Sequence, residues 1–342
     1  MTPLIQTAIN QLAEGVHLSE KEAEDVMLEI MQGTATEAQI AAYLMGLRMK
    51  GETVEEITGS AKAMRSLAEQ IRVRESLVVD TCGTGGDRSQ TFNISTATAF
   101  VVAGGGITVA KHGNRSVSSQ SGSADVLSAL GISINLPSQQ VAECINEVGI
   151  GFLFAPLYHG AMKHCAKPRI DMGIRTLMNI LGPLSNPAGA NIQILGVYDR
   201  ALTSTLAQVL LRLGTKHCFV LHGKDGLDEI TLTTATYVAE GKRGSVSSYE
   251  IEPKDFGLEP VPLLALKGGS PQENASIIQD ILRGRHGPKR EVVLMNAAPA
   301  FVACGQATTL QEGYDLATQT LDSGAAWEKL EKLIAFTSSS SS

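Results

Sequence analysis

The residues best suited to chemistry crowd into one segment. Ser76-Leu77-Val78-Val79-Asp80 is a short β-branched run that leads into Gly83-Thr84-Gly85-Gly86-Asp87. Glycine at a strand end permits positive φ and lets backbone N–H groups approach a ligand with no Cβ in the way. Asn93-Ile94-Ser95-Thr96 then opens an apolar stretch over 97–103, so Ser95 and Thr96 bring hydroxyls and free N–H groups to a predicted helix N-terminus. A predicted strand at 107–110 ends in Lys111-His112-Gly113-Asn114-Arg115-Ser116-Val117-Ser118-Ser119, a second loop on the side of an α/β sheet where ligands gather. Residues 81–124 hold 8 glycines, 13 serines and threonines and a single acid, Asp87, against Arg88, Lys111 and Arg115. This donor-rich island suits a polyphosphate.

Each piece has an ordinary reading on its own. A glycine turn commonly joins a strand to a helix, Lys111 and Arg115 could be solvated, and His112 could be structural. Three donor-rich loops within 45 residues favour a site. The spacing fits neither the P-loop nor the Gly-x-Gly-x-x-Gly dinucleotide fingerprint. Two further clusters are less informative by themselves. Asp228-Glu229, followed by Ile230-Thr231-Leu232, suits a solvated loop face better than a metal site, and Lys163, His164, Lys167 and Arg169 read as a basic, solvated helix face.

The elements around these loops change character along the chain. The first 70 residues read as about four short helices. Pro3 and Gly15 mark a start and a stop, and Ser19 with Glu22 and Thr53 with Glu56 have capping-box spacing. From residue 76, predicted strands (107–110, 151–154, 192–197, 217–221, 244–251) alternate with predicted helices (122–130, 138–148, 200–214). That pattern calls for an α/β domain with a mostly parallel sheet. The stretch 158–184 is helical and basic, and could return to the helical domain. Helices run from about 271 to 335, and 337–342 reads as a disordered serine tail. The expected domains are thus 1–72, joined by part of 158–184, and 73–336.

The 342 residues carry a formal charge of -7 and are 43% hydrophobic, enough for more than one core. The acidic balance argues against nucleic acid as a partner. No apolar run is long enough to span a membrane, no secretion signal is read at the N-terminus, and five scattered cysteines suggest reduced thiols in a cytoplasm.

Taken together, these motifs resemble anthranilate phosphoribosyltransferase. The resemblance extends through Ser121-Gly122-Ser123-Ala124-Asp125, Phe154-Ala155-Pro156-x-Tyr158-His159, Gly173-Ile174-Arg175-Thr176, Asn179-x-Leu181-Gly182-Pro183-Leu184-x-Asn186-Pro187 and Asp228-Glu229, over nearly the whole chain and in order. One departure is Gly160, where many members of that family have proline. The resemblance implies a small N-terminal all-helical domain, a larger α/β domain of nucleoside phosphorylase type, and a homodimer through the helical domain. It implies transfer of a phosphoribosyl group from phosphoribosyl pyrophosphate to anthranilate in tryptophan biosynthesis.

It also implies roles for residues. Gly83, Gly86, Asp87, Thr91, Asn93, Ile94, Ser95, Thr96, Lys111 through Ser119 and Ser123 would bind the donor. Arg169, Gly83 and Asn114 would bind anthranilate, with His112, Tyr158 and His159 near. Ser95, Asp228 and Glu229 would hold magnesium, one to two ions per monomer, whose charge would let an acidic chain bind a polyanion. No general base is assigned. A pyrimidine nucleoside phosphorylase of the same fold would carry a Lys-x-Ser-type loop in place of Lys111-His112-Gly113-Asn114. A nucleic-acid-binding paralogue would show a basic surface and lack Arg169. Arg169→Ala is expected to raise the apparent KM for anthranilate far more than that for the donor in steady-state kinetics; equal effects would refute the assignment.

Overall fold

The computed structural model describes residues 3–87, 89–116 and 120–339. Arg88, the expected donor residues Val117, Ser118 and Ser119, and 340–342 of the expected tail lie outside the described residues.

Four helices open the chain: α1 (Leu4–Ala13), α2 (Glu20–Met31), α3 (Glu37–Lys50) and α4 (Val54–Leu67). Helices this short are marginal alone, and reciprocal caps fix their starts. At α2 the Glu22 N–H donates to Ser19 Oγ at 3.2 Å while Ser19 N–H donates to Glu22 Oε2 at 2.8 Å. Thr36 with Gln39 and Thr53 with Glu56 repeat the device at α3 and α4. Glu56 is fully buried and does more. It accepts from the Leu18 N–H at 2.9 Å and pairs with Lys50 Nζ at 2.9 Å, so its charge is compensated.

The remaining chain winds around a seven-stranded sheet. Its strands are β1 (Val79–Gly83), β2 (Val109–Gly113), β3 (Ile150–Phe154), β4 (Ile192–Gly196), β5 (His217–Gly223), β6 (Thr236–Lys242) and β7 (Ser245–Ile251). They lie in the order β3-β2-β1-β4-β5-β6-β7, with the first five parallel and the last two antiparallel. β6 is not among the sequence expectations. It pairs with β7 through a tight turn in which Arg243 (φ 49°) and Gly244 (φ 78°) both adopt positive φ, as hairpin turns require.

The remaining helices are α5 (Ile94–Gly104), α6 (Ser123–Ala129), α7 (Ser138–Val148), α8 (Ala155–Tyr158), α9 (Lys163–Met172), α10 (Met178–Leu181), α11 (Leu202–Arg212), α12 (Pro271–Leu282), α13 (Pro288–Ala303), α14 (Leu310–Asp322) and α15 (Ala325–Ser339). α5 is apolar nearly all round because it is enclosed by α13, α14, α15 and β1. α15 continues through Ser339 and buries Thr337, so the expected tail does not begin at 337. Thr337 Oγ1 accepts from the Ser133 N–H, which holds the helix end in place.

Two features bear on the site. α9 packs against α2 and α3, away from the sheet. One apolar core also runs from Ile57, Ala61 and Met64 on α4 through Leu206 and Leu210 on α11 to Leu195 on β4 and Val220 on β5. Arg65 spans the same seam, donating to the carbonyls of Leu184 (2.6 Å) and Leu213 (2.9 Å).

α2 and α4 approach so closely that a Cβ on Gly59 would overlap the Glu20 carbonyl oxygen. Gly59→Ala is therefore expected to destabilise the fold by about 1–3 kcal/mol, as overpacking does. An unchanged Tm by differential scanning calorimetry would contradict this packing.

Candidate functional site: the glycine turn and its carboxylates

The strand order reverses between β1 and β4, and crevices at such switch points take ligands at the C-terminal strand ends. There Gly83 of β1 pairs in register with Gly196 of β4. Both are glycine because the segment carrying Asp228 passes over them. A Cβ on Gly83 would lie 2.7 Å from Asp228 Oδ2, and one on Gly196 would overlap the Asp228 carbonyl oxygen. The turn continues through Thr84, whose N–H donates to Gly196 O at 2.9 Å, into Gly85 (φ 66°) and Gly86 (φ 77°). Gly85 N–H donates to Asp228 Oδ2 at 2.9 Å. At the turn's far end, Ser89 Oγ donates to Asp87 Oδ2 at 2.5 Å and lies 3.2 Å from Thr91 Oγ1.

The start of α5 meets the same acids. Asn93 precedes α5 without capping it, Ile94 packs into the core, and Thr96 is buried. Ser95 N–H donates to Glu229 Oε1 at 3.1 Å. Lys111 lies within β2 rather than in the loop after it, and it is buried. Its Nζ donates to Thr81 O at 2.5 Å and to Ser95 Oγ at 3.3 Å. Burial lowers the Lys111 pKa, while the neighbouring Asp80, Cys82, Glu229 and Asp228 oppose that shift. Lys111 is thus a positive charge set behind the site wall.

Asp125 knits the third loop. Its carboxylate accepts from Ser116 N–H (3.1 Å), Gly122 N–H (2.9 Å) and Arg115 Nη1 (2.8 Å). Arg115 thereby meets a carboxylate of its own chain. Asn114 O accepts from Ser123 Oγ at 3.3 Å, and Gly113 leaves the space that Ser123 fills.

Electrostatics identify the crowded point. Burial first, and then the charge of Asp87, push the Asp228 carboxyl up to about 7. Burial and the charge of Asp228 push Glu229 up to about 8, with Lys111 partly opposing. Asn296 on α13 holds the backbone of this pair, accepting from Ile230 N–H and donating to Ile230 O, each at 2.8 Å. Hard oxygen ligands at this spacing fit a divalent cation, which would relieve their mutual repulsion. Among the described residues no cage of three His, Cys, Asp or Glu is preassembled. The donors present, two carboxylates and the Ser95 hydroxyl, are hard oxygens of the kind magnesium takes while keeping waters.

The remaining candidates lie to one side. His112 and His159 are buried with rings 5.2 Å apart, and burial lowers their pKa values to about 3 and about 4, so both are neutral near pH 7. Tyr158 is buried in the neighbouring core, and burial raises its phenol to about 12. Arg169 is half-buried on α9, and among the described residues its guanidinium makes no hydrogen bond or ion pair. Gly160, the departure from the family pattern, has open space around its Cα.

Sequence reasoning assigned no role to Arg175, whose guanidinium donates to Gly86 O and stacks over Tyr198 at 4.1 Å. It also passed over Gln90, a non-glycine residue at φ 57°, although such strain gathers at functional sites. The only sequence signal for either was proximity to the glycine turn or membership of a matched motif.

A helical bundle joined to such a sheet is the plan of a family of glycosyl-transferring enzymes. The description "Glycosyl transferase family, helical bundle domain" matches residues 6–68, and "Glycosyl transferase family, a/b domain" matches 75–327. The chain is 53% identical over 336 residues to the anthranilate phosphoribosyltransferase of Moorella thermoacetica, covering 98% of this chain and 99% of that one. With that of Acetivibrio thermocellus it shares 52% over 98% and 97%. The solved structure of anthranilate phosphoribosyltransferase from Thermus thermophilus superimposes with a TM-score of 0.92 at 42% identity, covering 97% of this chain and 99% of that one. The Saccharomyces cerevisiae enzyme in complex with PRPP and Mg gives 0.88 at 30%, covering 98% of each. The chain belongs to the anthranilate phosphoribosyltransferase family.

The carboxylate pair sets a pH test. Its folded pKa values lie above the ordinary 3.8 and 4.5, so the folded state binds more protons than the unfolded chain. Without metal, stability is therefore lost as pH rises from about 4 toward 7–8. A D228N/E229Q double variant should melt above the unsubstituted protein at pH 8.5 in chelator, with the gap closing toward pH 4; a constant gap in Tm would disprove the crowding.

Proposed function

We propose that this chain transfers the phosphoribosyl group of phosphoribosyl pyrophosphate to the amine of anthranilate, giving N-(5-phosphoribosyl)anthranilate and pyrophosphate in tryptophan biosynthesis. The observation that carries this reading is the meeting of the glycine turn, the α5 start and the Asp228-Glu229 pair at one switch point. The yeast relative's complexes with PRPP and Mg and with 4-fluoroanthranilate support it.

The site residues divide by chemistry. Backbone N–H groups of the turn and the hydroxyls of Thr91, Ser95 and Thr96 are donors suited to the phosphates, with Asn93 and, after β2, Asn114, Arg115 and Ser116 completing the cradle. Asp228, Glu229 and Ser95 Oγ would hold one or two magnesium ions, which supply positive charge to the departing pyrophosphate. Displacement at the anomeric carbon has charge-separated character, so the chain's task is to fix the donor and aim the amine. Buried Lys111 adds positive potential from behind Ser95. Arg169 presents a fork-shaped cation suited to the anthranilate carboxylate. Gly83 and Asn114 would line the acceptor's side, and neutral His112, Tyr158 and His159 would form its wall. An aryl ammonium is acidic enough to lose its proton without a dedicated base.

We read 1–72, with α9, as the helical domain and the rest of 73–339 as the α/β domain. The acceptor arginine then belongs to one and the phosphate loops to the other. Exposed Leu4 on α1 and Met45 and Met49 on α3 support a homodimer through the helical face. Five unpaired cysteines support a reducing, cytoplasmic setting.

The test follows anthranilate fluorescence. The signal is expected to fall only when phosphoribosyl pyrophosphate and Mg²⁺ are both present, and to stop falling on adding EDTA. No loss of signal, or phosphorolysis of a pyrimidine nucleoside instead, would overturn the reading.

A further inference from the structure

We infer that Asn274, on α12, is a positioning residue for the sugar-donor site, acting through Asn93. The inference rests on the reading of Asn93 as part of that site. Asn274 is buried, 1% exposed, and distant in sequence from every donor loop. Its carboxamide is used at both ends. Oδ1 accepts from the Gly269 N–H at 2.8 Å, and Nδ2 donates to Asn93 Oδ1 at 3.0 Å.

The orientations of both amides follow from the backbone. The Gly269 N–H can only donate, so Asn274 must turn its oxygen there and its NH2 toward Asn93. Asn93 in turn donates from Nδ2 to the Ser121 carbonyl at 3.0 Å, and a carbonyl can only accept. Its oxygen therefore faces Asn274, and it also accepts from Ser121 Oγ at 3.2 Å. Each amide has one orientation that satisfies all its partners.

This explains why Asn93 precedes α5 without capping it: its side chain spans from the third loop to α12. The 266–269 segment that carries Asn274's partner is also clasped to the loop before Asn93. Phe92 N–H donates to Leu266 O at 3.2 Å, Thr91 bridges Lys267, and Gly268 N–H donates to Gln90 O at 2.9 Å. A Cβ on Gly268 would stand 2.6 Å from Phe92 N and from Asn274 Oδ1, so only glycine allows the approach. Gln90, whose carbonyl the clasp engages, is itself left-handed at φ 57°, three residues before Asn93. Asn274 is the buried side chain that fixes the orientation of that junction.

Asn274→Asp separates its two bonds. The carboxylate still accepts from Gly269 but sets an oxygen against Asn93 Oδ1, which turns the Asn93 amide away from Ser121. Kinetics and calorimetric donor binding should be measured for N274D, N93A and the double variant, with Tm as the check on folding. N274D is expected to raise the KM for phosphoribosyl pyrophosphate roughly ten-fold or more, the effect of one broken buried hydrogen bond, and to leave that for anthranilate within about two-fold. In the N93A background N274D should add less than about two-fold, because both act through one side chain. Multiplying effects, or equal rises in both KM values, would show a general structural role and overturn the inference. An N93A variant with unchanged donor KM would refute the site reading itself, and this inference with it. If N274D does not fold, N274A run through the same cycle decides.

Discussion

The site depends on an approach that only glycine allows. Gly83 and Gly196 stand side by side at the ends of β1 and β4, and the Asp228 segment lies in the space their missing side chains leave. The glycine turn and the Asp228-Glu229 pair are placed relative to that contact. The Gly85 N–H reaches Asp228 because the turn is flat against it, and Glu229 reaches the α5 start because Asn296 holds the next peptide from behind. A single methyl group on either strand end would push the acids and the turn apart.

The electrostatics follow from the same crowding. Carboxylates are crowded together at a half-buried point, and the amine of Lys111 beside them is committed to a backbone carbonyl and to Ser95. Arg115 is paired with Asp125 and Arg175 with the Gly86 carbonyl. Lys111, Arg115 and Arg175 are thus already partnered within the chain. The charge that a polyphosphate needs fits best when it arrives with the ligand, in keeping with the chain's overall charge of -7.

Much of this was legible in the sequence because it is local. Glycines at a strand end, Ser19 with Glu22 and Thr53 with Glu56 at their helix starts, and the alternation of strand and helix are short-range signals. Their physics does not depend on the rest of the fold. What escaped was long-range or ambiguous. Asp228-Glu229 reads as a solvated loop until the fold half-buries it against the ends of β1 and β4. Lys111 follows a predicted strand but is part of it, so its charge points inward. β6 was missed because Thr236–Lys242 ends in Glu240-Gly241-Lys242, a polar sequence whose place is set by pairing on both sides. The 337–342 tract looked too polar to order, yet Thr337 finds a partner at Ser133 and extends α15.

The unbroken core between α4, α11 and β4 has a mechanical meaning. Parting α4 from α11 would expose that apolar seam to water, at about 25 cal/mol for each Å² uncovered, and would part Arg65 from the Leu213 carbonyl. The bundle is therefore welded to the sheet along this edge. Arg169 rides elsewhere, on α9, between Gly160, which has open space around it, and Gly173, which already adopts φ 61°. α9 in turn packs on α2 and α3, with Cys165 buried in their core, so the weld that fixes the bundle also fixes where Arg169 stands relative to the strand ends.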